Sequence, residues 1–332
     1  MTSAPRVSLL MAAYNAAPFI GAAVESVIAQ TVRDWELIIV DDASTDATAE
    51  IAARYAAADP RIRLIRHDRP SGVCIRPRLT AARVARAPFF LDLDADDLIE
   101  PEFLAKLLER QAVTGAGVVI HQLWNYYGPE REPELYSPAP DFDLTRTVTG
   151  REALLLMLDC WRIPGNYLIA REVYLTGAVP AELLGNQNAD ELPALLGLME
   201  IPLVAFAPAR YFYRVNPDSM SRCRSLRRLD IIESDLWVID DAARRYPDDG
   251  ELRLRLEYAC YRDLRNRYME GYPDCLDVPD RPMGREIMRR AHRILDLKAV
   301  GRLRRGLKYR VMCLGYGPAR LILGLYGRIR RK

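Results

Sequence analysis

The sequence predicts an α/β domain built on a helix-flanked sheet, followed by a mostly helical, basic extension. Three observations carry this. Over the first hundred residues, short apolar runs alternate with stretches of helical periodicity, the pattern of parallel strands joined through helices. Three of those runs end in polar or acidic clusters, where open α/β sheets present their ligand-binding edge. After about Arg222 the strand signals stop and arginine-rich helical patterning takes over.

Val7 to Met11 is an apolar run suited to a buried strand. With Arg6 it faintly resembles a signal peptide, but it is short and leads straight into a strand–helix pattern, so it is read as strand. Pro18 suits a first helical turn, and Ile20, Ala23, Val24, Val27 and Ile28 then share one helical face. Leu37 to Val40 is a second strand, ending at Asp41-Asp42. Ser44 or Thr45 can cap the next helix, whose inner face is Ile51, Ala52 and Tyr55. Arg61 to Ile65 reads as a third strand, Arg78 to Ala87 as a helix, and Phe89 to Leu93 as a fourth strand. Tyr126 to Thr147, rich in Pro, Glu and Asp, reads as a long loop. Two helical stretches and a short strand, Leu203 to Phe206, precede Tyr211-Phe212-Tyr213-Arg214. This organisation gives domains at 1–222 and 223–332.

Composition bounds the function classes. The 332 residues are half apolar and carry a net charge of +2, an ordinary globular balance that can bury a sizeable core. The charge is split: Arg285 to Lys332 holds 15 Lys or Arg against 2 acids, about +13, leaving about −11 on the rest. Such a tail suits an anionic surface, or forms a solvated helical face. Six scattered cysteines without CxxC spacing, beside three histidines, argue for reduced thiols in the cytosol. No apolar run reaches the 18 residues of a membrane-spanning helix. Neither GxGxxG nor GxxxxGK[ST] follows the first strand, which argues against a dinucleotide oxidoreductase and a P-loop enzyme.

The strand-end clusters are Ala12-Ala13-Tyr14-Asn15, Asp41-Asp42-Ala43-Ser44 and Asp92-Leu93-Asp94-Ala95-Asp96-Asp97. Acids at buried strand ends are costly unless they meet donors or a cation. Clustered Asp oxygens suit a hard divalent ion, which would also hold phosphates. Asp42 or Asp97 alone could instead cap a following helix. Helix capping does not account for four acids in six residues after Phe89-Phe90-Leu91.

Three segments, Val7-Ser8-Leu9-Leu10-Met11-Ala12-Ala13-Tyr14-Asn15, Ser26-Val27-Ile28-Ala29-Gln30-Thr31 and Trp35-Glu36-Leu37-Ile38-Ile39-Val40-Asp41-Asp42-Ala43-Ser44-Thr45-Asp46, resemble family 2 glycosyltransferases. The resemblance continues through Leu91 to Pro101, where Asp94-Ala95-Asp96 takes the place of the family's DxD. It covers roughly residues 5–220. It implies the GT-A fold, a Rossmann-like mixed sheet flanked by helices, and an inverting, metal-assisted transfer from a nucleotide sugar, most commonly a UDP-sugar. It also implies roles for individual residues. Ala12 and Tyr14 would meet the donor, with Tyr14 stacked on the nucleobase rather than serving only as core packing. Asp42 would hydrogen-bond the base, Asp94 would reach the ribose or the metal, and Asp96 would ligate Mn2+ or Mg2+. Gly72 and Arg78 align with the family's glycine and the arginine of its ARN motif. Here the sequence is Pro77-Arg78-Leu79, without the asparagine, so Arg78 is either a diphosphate contact or an exposed helix arginine. The acceptor's proton needs a base. Asn188-Ala189-Asp190-Glu191-Leu192 occupies that region, with Glu191 favoured and Asp190 one residue off in register. Arg214, Asn216 and Ser219 match the YRxxxxS segment that can close over the diphosphate, and Trp161 and Asn166 would line the acceptor side.

The expected partners are a nucleotide-sugar donor, a glycan or lipid-linked acceptor and an anionic membrane surface, with no nucleic acid. The expected place is the cytoplasm, peripheral on the inner face of the cell membrane. A nucleotidyltransferase would carry a Gly-rich basic loop where this chain has Ala12-Ala13-Tyr14-Asn15-Ala16-Ala17. A degenerate sugar-nucleotide-binding protein would not need Asp94, Asp96 and an acid near 190. In the basic tail, Lys298 to Lys332 mixes apolar and basic residues in the manner of an interfacial helix. The rival reading is a helix packed on the catalytic domain.

Overall fold

The computed structural model describes residues 4–138, 142–158, 166–176, 179, 181–185, 192–216, 229–269, 281–301 and 306–329. These fall into two compact units, the first within Met1–Gly185 and Asp190–Pro217, the second within Asp218–Lys332.

The first unit is a sheet with helical flanks. Its strands are β1 (Val7–Ala13), β2 (Trp35–Asp41), β3 (Ile62–Arg66), β4 (Phe89–Asp92), β5 (Leu98–Ile99), β6 (Val118–Tyr126), β7 (Glu134–Ser137), β8 (Thr147–Val148), β9 (Leu168–Ala170) and β10 (Val204–Arg214). They lie in the order β3-β2-β1-β4-β9-β6-β10-β5, with β7 on β6 and β8 on β10. The β1–β2, β2–β3, β1–β4 and β6–β10 pairs are parallel, while β9 runs antiparallel to both β4 and β6, so the sheet is mixed. Every residue of β2, and all of β1 except Ala12, is buried, as a parallel strand covered on both faces requires. The covering helices are α1 (Ile20–Ile28), α2 (Thr48–Ala58), α3 (Ile75–Val84), α4 (Phe103–Thr114), α5 (Gly150–Leu158), α6 (Arg171–Thr176) and α7 (Leu192–Glu200). Ile20, Ala23, Val24 and Val27 of α1 are buried, matching their spacing. Gln30, in the segment after α1, donates to the Glu100 carbonyl (2.7 Å) and accepts from the Leu104 amide (3.0 Å), fixing the start of α4 to the end of α1.

Several local expectations change. Neither Ser44 nor Thr45 caps α2; both are engaged with Asn15, and α2 begins at Thr48 without a side-chain cap. Asp42 and Asp97 cap no helix either, because their oxygens face other donors. Helix α3 starts at Ile75, which places Arg78 inside it and only 8% exposed rather than on a solvated face. The expected loop at 126–147 contains β7 and begins β8. The run from Leu203 and the Tyr211 segment are one strand, β10, with a register shift between Phe206 and Arg210.

The base of the sheet is pinned by Glu36. Its buried carboxylate accepts from the Ser8 hydroxyl (2.7 Å), the Arg86 amide (2.6 Å) and the Arg86 guanidinium (2.9 Å), tying β1, β2 and the entry to β4 together. Burial alone would raise its pKa, but these donors outweigh burial and hold it below the usual carboxylate value. A depressed folded-state pKa stabilises the fold above the unfolded value near 4.5, and that contribution is lost as pH falls through the folded value. Glu36→Gln is therefore expected to cost about 1–3 kcal/mol at neutral pH, with a gap to wild type that narrows in melts taken below about pH 4.5. A gap unchanged down to pH 3.5 would contradict this account.

The second unit is helical: α8 (Asp230–Arg245), α9 (Gly250–Met269), α10 (Arg281–Ile294), α11 (Leu297–Val300), α12 (Leu307–Met312) and α13 (Tyr316–Ile329). Leu252, Leu256, Cys260 and Leu264 recur every fourth residue on α9 and are buried, making it the central helix that α8, α11 and α13 contact.

Candidate functional site

Because β1 lies between β2 and β4, the three polar strand ends are neighbours. At the end of β1, Tyr14 is 51% exposed, and Asn15 takes a left-handed conformation (φ 48°). Its partner turn at the end of β2 contains Ala43 at φ 58°, a costly conformation for a residue with a Cβ. Side chains hold the two turns against each other. Asn15 Oδ1 accepts from the Thr45 amide (2.9 Å), the Asn15 amide donates to Ser44 Oγ (3.0 Å), and the Ala16 amide donates to Thr48 Oγ1 (2.7 Å). The segment Asp41 to Ala47 therefore shapes the surface beside Tyr14 before α2 begins.

Asp42 is buried at this edge. Oδ1 meets His67 Nδ1 at 2.7 Å, and Oδ2 accepts from the Ser71 amide and hydroxyl, both at 2.8 Å. His67 is held in turn by Thr80 Oγ1 at 3.1 Å. Gly72 follows at φ 74°, a left-handed position that glycine adopts without strain.

The acidic turn after β4 is organised by β10. The phenol of Tyr211, buried in the core, accepts from the Asp94 amide (3.2 Å) and donates to Asp97 Oδ2 (2.8 Å). Asp97 Oδ1 accepts from the Arg214 amide (2.8 Å), and Arg214 Nε donates to the Asp96 carbonyl (2.7 Å). The Arg214 guanidinium also lies 5.1 Å over the Phe19 ring and 5.0 Å over Tyr126. From the other side, Arg78 donates to Asp94 Oδ1 at 2.6 Å and lies 4.0 Å from Asp92. The structure thus brings Asp94, Asp96, Arg78 and Arg214 together, on the same sheet edge as Ala12, Tyr14 and Asp42.

The turn carries more negative charge than these arginines offset. Burial first, then the neighbouring Asp94 carboxylate, pushes the Asp96 pKa up to about 6. Burial, Asp94 and Asp96 raise Asp97 well above the usual range. Such a turn is relieved by a cation. Among the described residues no three Asp, Glu, His or Cys side chains form a cage. A hard divalent ion such as Mg2+ or Mn2+ bound here would have at most the Asp94 and Asp96 carboxylates as side-chain ligands, and would draw the rest from phosphate and water.

Asn166 is half-buried and hydrogen-bonds His121, a fully buried histidine on β6. Trp161, Asp190, Glu191 and Ser219 lie outside the described residues. The sequence reading missed His67, Ser71 and Tyr211. His67 stands just past a predicted strand end, so its place at the edge was legible, but its partner Asp42 is 25 residues away. Tyr211 sits on a strand 114 residues from Asp97 and has no local signature. Tyr211→Phe removes one donor from buried Asp97 and one acceptor from the Asp94 amide. It is expected to lower stability by about 1–3 kcal/mol in denaturant titrations and to lower turnover beyond what that loss explains. Wild-type turnover would show that the tether does not position the acids.

The sequence model for glycosyl transferase family 2 matches residues 8–172. The chain is 31% identical over 278 residues to the succinoglycan biosynthesis protein ExoO of Rhizobium meliloti, covering 79% of this chain and 74% of that one. Its fold resembles Staphylococcus aureus TarS 1–349 in complex with UDP-GlcNAc, with a TM-score of 0.70 at 16% identity, covering 98% of this chain and 91% of that one. It also resembles the mannosyltransferase PcManGT of Pyrobaculum calidifontis in complex with GDP-Man and Mn2+, with a TM-score of 0.52 at 18% identity, covering 100% and 89%.

Proposed function

The chain belongs to glycosyl transferase family 2 and is a glycosyltransferase of the GT-A fold; from that premise we propose that it transfers a sugar, with inversion, from a nucleoside diphosphate to a hydroxyl of a glycan or lipid-linked acceptor. The observation that carries the proposal is the convergence of the Asp94-Ala95-Asp96-Asp97 turn with Arg78 and Arg214, on the sheet edge that also bears Tyr14 and Asp42. UDP-sugars are the proposed donors, a choice supported by the UDP-GlcNAc seen on the same fold in TarS. A polysaccharide-type acceptor is supported by the name of the ExoO relative.

Each residue has work to do in such a transfer. The exposed Tyr14 ring offers a stacking face for the base beside Ala12, and Asp42, held by His67 and Ser71, is the fixed acceptor for a base N–H. Asp94 would contact the ribose or a metal-bound water. Arg78 and Arg214 would contact the diphosphate, and Ser219 is the proposed third contact. Glu191, or Asp190 one residue earlier, takes the proton from the acceptor hydroxyl as its oxygen attacks the anomeric carbon. The bond from that carbon to the diphosphate breaks, its electron pair leaves with the diphosphate, and attack from the opposite face inverts the centre. Trp161 and Asn166 are the residues proposed to bind the acceptor. Held by Asp96 with Asp94, Mn2+ or Mg2+ would offset the charge developing on the leaving diphosphate.

Nucleotide release from a panel of UDP-, GDP- and dTDP-sugars, with manganese and with excess chelator, tests this reading. Turnover of UDP-sugars that chelator suppresses is expected. Preference for a GDP- or dTDP-sugar would overturn the donor assignment, and undiminished turnover in chelator would overturn the metal assignment.

A further inference from the structure

We propose that the α12–α13 face of the second unit docks on an anionic lipid bilayer, lying in its interface without crossing it. Helix α13 is apolar on two sides. Ala319, Leu323, Gly324 and Gly327 are buried. Gly327 lies so close to α9 that a Cβ there would come within 2.4 Å of the Met269 carbonyl. On the other side, Leu321, Leu325 and Ile329 recur every fourth residue and are 68%, 61% and 68% exposed. Leu314 in the preceding turn and Leu307 at the start of α12 are exposed as well, at 59% and 78%. A helix with one face packed and the opposite face polar would need no partner, whereas a contiguous apolar face in water marks an interaction surface.

Charge selects the occupant. From Gly306 to Lys332 there are seven Lys or Arg and no acid. A second copy of the chain meeting this face symmetrically would bring like charges together, those of Lys308, Arg310, Arg320 and Arg328 among the described residues. An anionic leaflet complements it, each basic residue near the surface raising partitioning about fivefold. Lys308 Nζ lies 5.5 Å over the Tyr326 ring, pairing an amphipathic aromatic with a cation as interfacial segments do. A recess of about 440 Å3 is lined in part by Tyr258, Tyr261, Arg265 and the exposed Leu307, Ile322 and Tyr326. With 14 residues, α13 is too short to cross a hydrocarbon core, and among the described residues no helix is long and apolar enough to do so.

The structure also narrows the basic tail. Helix α10 buries Ile287, Met288 and Ala291, and Arg293 pairs with Glu286, so docking belongs to α12–α13 and not to everything after Arg285. Co-sedimentation of the full chain with vesicles of phosphatidylcholine alone, and of phosphatidylcholine with phosphatidylglycerol, tests the proposal. Binding to the second, weakened by salt, and little to the first is expected. Leu321→Ser, Leu325→Ser and Ile329→Ser combined should lower that binding at least tenfold at an unchanged melting temperature and unchanged donor turnover. If the serine variant melts lower, Lys308→Gln with Arg328→Gln carries the test, with an expected loss of about 25-fold. Equal or absent binding to both vesicle types would overturn the proposal. So would wild-type binding by the variants, or a solution dimer that the serine variant dissociates.

Discussion

Asp96→Asn is expected to reduce turnover of a nucleotide-sugar donor by roughly 10³-fold or more while leaving the fold intact. That corresponds to several kcal/mol of lost charge stabilisation at about 1.4 kcal/mol per tenfold. The fold should survive because, among the described residues, the Asp96 side chain is bonded only to its own amide and attracted to Arg214. Its backbone carbonyl takes the Arg214 bond, and Tyr211 and the Arg214 amide hold Asp97 instead. Removing the Asp96 charge from beside Asp97, whose pKa burial and its acidic neighbours raise, should leave the melting temperature equal or higher. The combination of intact or increased stability with lost turnover separates a functional acid from a structural one. A variant with wild-type turnover would remove Asp96 from the site.

Glu191→Gln is expected to lower kcat by about 10²–10⁴-fold with little change in donor affinity, because a base acts on the acceptor and not on the bound donor. The comparison with Asp190→Asn decides the register. If Asp190→Asn abolishes kcat and Glu191→Gln does not, the base is Asp190. If neither variant changes kcat, the base lies elsewhere in the chain.

How much of this was legible in the sequence follows from the range of the interactions. β1, β2 and β4 announce themselves as short, mainly apolar runs, and their polar or acidic ends lie within one or two residues. The helix faces of α1 are equally local. What the sequence hides is long-range. β9 is three residues long and earns its place by antiparallel pairing to β4 and β6, not by its own pattern. The turn at Ser44 and Thr45 looks like a capped helix start until Asn15, 30 residues earlier, takes the Thr45 amide. Tyr211 organises the acids across 117 residues, and the sequence leaves Arg78 between a diphosphate contact and an exposed helix arginine until Asp94 is set beside it.

Calorimetric titration of UDP into the protein, with manganese and with excess chelator, in wild type and in Asp96→Asn, tests the central claim that the acidic turn recruits a cation to hold a nucleoside diphosphate. Wild type is predicted to bind UDP much more tightly with manganese than in chelator, and the variant is predicted to lose that dependence. Equal UDP affinity in chelator and manganese for wild type would contradict it.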